Sequence, residues 1–187
     1  MYKRQGPDAI TEHSRLVHFP TEERIRASGA DFTILRHTVY ADAVLDGLDR
    51  TLATGTFDRP GGATAGAYAV RADLAEAAAR VLAADGHAGR TYTETMARTY
   101  TGDEVAALMS EAFGREIVYR AMPAAEWPDY VMATLDLPPG AAQSSMHTLR
   151  AFEAGEFDLV TDDLRDLLGR EPQDLAEFLA AQPSRSQ

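Results

Sequence analysis

The stretch Asp31-Phe32-Thr33-Ile34-Leu35-Arg36-His37-Thr38-Val39-Tyr40 opens as a β-rich run and ends in a polar loop, after which a helical pattern resumes. A short apolar run of this kind fits a strand buried on both faces, as parallel sheets require. Asp31–Arg36 is therefore read as a buried strand. In open α/β sheets ligands bind just beyond the carboxyl ends of the strands. The loop holding His37, Thr38 and Tyr40 is where a site is expected.

Upstream, Glu12 to Ser28 reads as a helix closed by Gly29. Pro20 is tolerated only in a first turn, so the regular part is placed from about Phe19 to Thr21 onward. His18, Thr21, Glu22 and Ile25 recur at three- to four-residue spacing and can share one face. Downstream, Tyr40 to Leu52 is helical in pattern, Arg59-Pro60-Gly61-Gly62 is a turn, and Ala65 to Val70 is a second strand. Leu74, Ala75, Ala78, Val81 and Leu82 mark one apolar helix face that stops at Asp85-Gly86, and Arg90 to Thr95 is a third strand. Thr101 and Glu104 form a capping box before a helix that ends at Gly114. Ile117 to Arg120 is a fourth strand. From Pro123 the pattern is helical, broken at Pro138-Pro139, Gly155, Gly169 and Pro172, with Asp162-Asp163 as N-cap and first-turn acids. Strands alternating with helices predict an α/β fold with a parallel sheet, followed by a mainly helical part from about residue 101.

Composition narrows the function classes. The chain has 187 residues, a net charge of −11 and no cysteine. Excess acid argues against nucleic acid and against anionic membrane surfaces. The lack of thiols excludes disulfides, thiolate zinc sites and a cysteine nucleophile. No apolar run approaches the roughly 18 residues of a membrane helix, so a cytoplasmic protein is expected. Lys3 is the only lysine among 18 basic residues, and Met1-Tyr2-Lys3-Arg4-Gln5 resembles the translation of a sequencing-library transposon end. Residues 1–5 are accordingly read as a non-native leader.

Gly61-Gly62-Ala63-Thr64-Ala65-Gly66 is no dinucleotide fingerprint, because its glycines are adjacent and lead into a strand. The five histidines show no i, i+4 pair on a helix, which speaks against a metal site. Trp127 reads as core, although Trp127 and Tyr130 share a helical face able to wall a pocket.

Several pieces in order carry a resemblance. They are His18-x-x-Thr21-Glu22, Ser28-Gly29, Thr33 to Arg36 with Tyr40, Val70 to Ala75, Gly86 to Tyr92, Gly155-Glu156-Phe157, Thr161 to Asp163, and Leu167 to Arg170. Together they resemble the NmrA-like branch of the atypical short-chain dehydrogenases, of the NAD(P)H:quinone oxidoreductase type. The resemblance implies the C-terminal portion of a Rossmann-type NAD(P)-binding fold: residues 6–100 would be a remnant of the dinucleotide-binding domain and 101–187 a substrate-binding subdomain. The strand, Gly-rich turn and helix that bind the cofactor pyrophosphate in such proteins have no counterpart in the sequence. The 187-residue chain alone is therefore expected to be inactive.

By the same resemblance, His18 would face the nicotinamide ribose, and His18, Arg36, His37, Thr38 and Val39 would contact NADP or NAD. Tyr40 and His18 are the implied catalytic residues, donating a hydrogen bond to a developing oxyanion. The quinone-reductase branch usually shows Asn-Gly-Trp-Tyr where this chain has His37-Thr38-Val39-Tyr40, so Val39 removes an aromatic wall. The expected partner is a small-molecule substrate, with no nucleic acid and no membrane; a homodimer is left open. A redox-sensing regulator of the NmrA type, binding dinucleotide without turnover, is the second reading. A shortened binding module is the third.

Overall fold

In the computed structural model the described residues are 18–183. The proposed leader and residues 12–17 of the predicted Glu12–Ser28 helix lie outside them. Helix α1 spans Phe19–Ala27 with Pro20 in its first turn, where a missing N–H costs little. Strand β1, Ile34–His37, follows and pairs in parallel with β5, Thr91–Glu94, in the register Ile34↔Thr91 to His37↔Glu94.

Thr38 is where the chain changes neighbours. Its N–H still donates to Glu94 O at 3.3 Å, whereas its hydroxyl donates to Ala67 O at 2.9 Å. Strand β2, Val39–Tyr40, then pairs in parallel with β4, Gly66–Ala69, which also pairs antiparallel with β6, Thr99–Tyr100. The third sheet joins β3, Thr56–Arg59, to β7, Val118–Ala121, in parallel.

The helical pattern over Tyr40–Leu52 resolves into two pieces, a 3-10 turn at Ala41–Leu45 and helix α2 at Leu48–Thr54. Gly47 separates them at φ 69°, a left-handed conformation that suits glycine and interrupts a continuous helix. Helix α3, Arg71–Ala83, buries Asp73, Leu74, Ala77 and Val81. The predicted face was rotated from this one: Ala75 and Leu82 are exposed, Leu82 at 88%, because the buried stripe follows i, i+3, i+7 from Leu74. Helix α4, Gly102–Phe113, starts at the reciprocal Thr101–Glu104 capping box and ends at Gly114.

Helices α5 (Trp127–Leu135), α6 (Pro139–Glu153), α7 (Asp163–Leu168) and α8 (Leu175–Ala180) complete the fold. Asp162 occupies the N-cap of α7 without a side-chain cap bond; Asp163 instead accepts the Thr93 N–H at 2.6 Å, tying α7 to β5. The largest apolar cluster draws on both sides of residue 100, from Ala41, Phe57 and Tyr68 to Val105, Met109 and Leu179. Among the described residues no helix is long and apolar enough to cross a membrane.

Candidate functional site

The parallel strands β1 and β5 end together at His37 and Glu94, and the chain then switches to β4. Such a point leaves a crevice beyond the carboxyl ends of the strands. Alternation along the chain sends consecutive side chains to opposite faces. Arg36 turns toward α1, where Glu22 holds it: Nε reaches Oε1 at 2.8 Å and Nη2 reaches Oε2 at 2.6 Å. The Arg36 guanidinium keeps the Glu22 carboxyl below the usual carboxylate range. His18, at the exposed N-cap of α1, lies one turn before Glu22.

His37 turns the other way, its Nε2 lying 2.9 Å from Oε2 of the fully buried Glu94. The approach is close but poorly aligned, so neither Glu94 oxygen has a hydrogen-bond partner among the described residues. The His37 and Tyr40 rings stand 6.2 Å apart, and the Arg71 guanidinium lies 4.5 Å over the Tyr40 ring while pairing with Asp42 at 3.0 Å. His37 and Tyr40 are thus brought together. Thr38 spends its hydroxyl on Ala67, and Val39 faces an interior cavity instead.

That cavity has a volume of about 230 Å³ and is walled chiefly by Val39, Phe57, Tyr68, Tyr119, Trp127 and Phe152. Trp127, read from sequence as core, is both buried and part of this wall; Tyr130 stacks on it at 5.4 Å. Among the described residues Arg59 is the one basic side chain in this lining. Its guanidinium sits 4.6 Å over Phe57 and 5.7 Å over Trp127, and donates to Asp46 O at 2.5 Å. Burial raises the carboxyl pKa of Asp46, another lining residue, with Arg59 opposing the shift. Burial also pushes the Tyr68 phenol up to about 12. The cavity is thus largely apolar, with a few polar groups on its wall.

Sequence reasoning missed Glu94, Arg59 and Asp46. For Glu94 the signal was a carboxylate at an inward position of a strand, two residues after Tyr92. Only the register with β1 shows that it meets His37.

Quinone oxidoreductase 2 of Escherichia coli (strain K12) is 30% identical over 164 residues, covering 87% of this chain and 57% of that protein. An NAD(P)H azoreductase of Xenophilus azovorans is 26% identical over 177 residues, covering 94% of this chain and 61% of that protein. The chain is similar to reductases. The crystal structure of Citrobacter sp. triphenylmethane reductase complexed with NADP(H) superposes with a TM-score of 0.84 at 28% identity, over 92% of this chain and 61% of the other. These likenesses support the resemblance to NmrA-like short-chain dehydrogenases. The chain spans less than two thirds of the length of these relatives. NmrA itself, a negative transcriptional regulator, matches at 17% identity with a TM-score of 0.61, a likeness of fold alone. No family model matches the chain.

Proposed function

We propose that this chain forms the later part of an NAD(P)H-dependent oxidoreductase that passes hydride to a quinone-like or related conjugated small molecule. The observation that carries this reading is the aromatic cavity opening beside the switch from β5 to β4, in a chain similar to quinone and triphenylmethane reductases. On this reading residues 6–100 continue a dinucleotide-binding domain, residues 101–187 form the helical substrate-binding part, and residues 1–5 are a leader. Strand β1 pairs with β5 alone among the described strands, which leaves one edge for a further parallel neighbour.

The residues fit the nicotinamide end of such a cofactor, since the strand ends present His37, an apolar Val39 and an orphaned buried carboxylate at Glu94. When bound, the reduced nicotinamide supplies the hydride. The chain's own residues hold the acceptor flat against it and exclude water. His18, Arg36, His37, Thr38 and Val39 line the cofactor side, with Arg36 acting through its pairing to Glu22. Tyr40 and His18 donate the hydrogen bond to the oxyanion that develops on the substrate. The substrate is a small molecule, and the setting is the cytoplasm.

The test is NADPH oxidation by the intact protein with a panel of quinones, alongside calorimetric titration with NADPH. Turnover with quinones is the expected result. Tight dinucleotide binding without turnover on any acceptor would replace it with the sensor reading.

A further inference from the structure

Glu94 is 0% exposed and lacks a hydrogen bond to either oxygen, an arrangement that costs stability and so asks what the carboxylate does there. Its nearest cation-forming group is His37, at Nε2, from the neighbouring strand. The His37 side chain is 32% exposed. The imidazole therefore has one nitrogen toward a buried carboxylate, while part of the ring reaches solvent at the end of β1. A carboxylate behind a histidine fixes its tautomer and supports its charged form, whichever fold carries the pair. Poor alignment of the contact is normal before ligand binds, and such bonds tighten in the complex.

We propose that His37 and Glu94 are the proton-delivering pair of the reaction, His37 giving its Nδ1 proton to the substrate and Glu94 positioning the ring. The proposal rests on the reductase reading above and names the acid that reading lacks. Reduction of a quinone adds two electrons and two hydrogens. The substrate takes one hydrogen with both electrons from the reduced nicotinamide, which is thereby oxidised, and the other as a proton from His37 Nδ1. The N–H bond of the imidazolium breaks, an O–H bond forms on the reduced acceptor, and the neutral imidazole regains its proton from solvent through its exposed edge. Glu94 accepts from Nε2 throughout and neither gains nor loses an atom. Tyr40, 6.2 Å away ring to ring, is left to orient the acceptor rather than protonate it.

The experiment compares wild type with Glu94→Gln and His37→Gln in the intact protein. Loss of a general acid should lower kcat with a quinone by about 10²-fold or more in His37→Gln, and by a smaller factor in Glu94→Gln. In Glu94→Gln, whose side chain lies buried behind His37, the dissociation constant for NADPH and the KM for the quinone should move by less than about threefold, which a merely structural defect would not leave intact. The solvent isotope effect in heavy water should fall in both variants. Independently of turnover, imidazole nitrogen NMR should show His37 protonated at Nε2 in wild type and a redistributed tautomer in Glu94→Gln. An active wild type whose variants keep kcat and the isotope effect would overturn the proposal and leave the reductase reading standing. A tautomer unchanged by Glu94→Gln would equally overturn it. A wild type inactive with every quinone would overturn the reductase reading, and the pair's role with it.

Discussion

Glu22 closes both carboxylate oxygens on the Arg36 guanidinium, pinning the middle of α1 to the end of strand β1 before the site loop. Arg26 adds a second contact to Glu22 at 3.3 Å and reaches Thr91 on β5 at 2.8 Å. A bidentate, largely shielded pair of this kind contributes on the order of 1 kcal/mol. Because Arg36 holds the folded-state pKa of Glu22 below its unfolded value, this contribution is present above the unfolded carboxylate pKa. It is lost as pH falls through the folded one. Glu22→Gln should lower the melting temperature at neutral pH and flatten the acid limb of the stability profile. An unchanged acid limb would count against the clamp.

Tyr68 titrates in the opposite direction. Burial raises its phenol to about 12, with Arg59 opposing and Tyr119 adding to the shift. The neutral phenol is favoured by the fold, so the associated stability is present below the ordinary tyrosine value and disappears as pH rises through the folded pKa. The shift corresponds to about 2–3 kcal/mol. Chemical denaturation followed from neutral pH to above pH ~11 should show that loss. Tyr68→Phe should remove most of it, with a residue from Tyr100 and Tyr119, which burial also raises.

Local chemistry made part of this fold legible. The Thr101–Glu104 capping box, the strand before His37 and the turn at Gly61-Gly62, where both glycines have positive φ, all follow from side chains or backbone needs within a few residues. Strand β3 did not, because Thr56-Phe57-Asp58-Arg59 is half charged and four residues long. Asp58 is buried there with Arg120 reaching it at 2.5 Å from β7, 62 residues away, and Arg50 at 3.9 Å from α2. Strand β6 has two residues and is defined by β4. The site divided along the same line. His37 and Tyr40 were legible from their place after a strand, whereas Glu94 needed the strand register and Arg59 needed β3. The spacing of His18 and Glu22 put both on one helix face, but only the folded sheet shows that this face meets Arg36.

Gly66 is a packing requirement of the cavity wall. A Cβ built there would stand 2.4 Å from Phe152 Cε1 and 2.9 Å from Cζ. Phe152 cannot give way freely, since Phe157 lies 4.7 Å and Tyr68 6.4 Å from it, ring to ring. Overpacking of this kind costs about 1–3 kcal/mol. Gly66→Ala should lower the melting temperature, and adding Phe152→Leu should recover part of the loss through the coupling expected of touching residues. Strictly additive losses would show that the ring and the glycine do not meet.

Val39 sets the shape of the slot on the reductase reading. It lines the cavity from β2, opposite Tyr68 in register, while Tyr40 turns to Arg71 on the other face of the strand. Replacing it by tryptophan fills space that a substrate ring would use, without altering the Tyr40 side. Discrimination by shape in an apolar pocket is worth about 1–3 kcal/mol per methylene-sized change, or roughly tenfold and upward. Val39→Trp should therefore raise KM for a polycyclic quinone by about tenfold or more and leave a single-ring quinone nearly unaffected. Equal losses for both quinones would place the substrate outside this cavity.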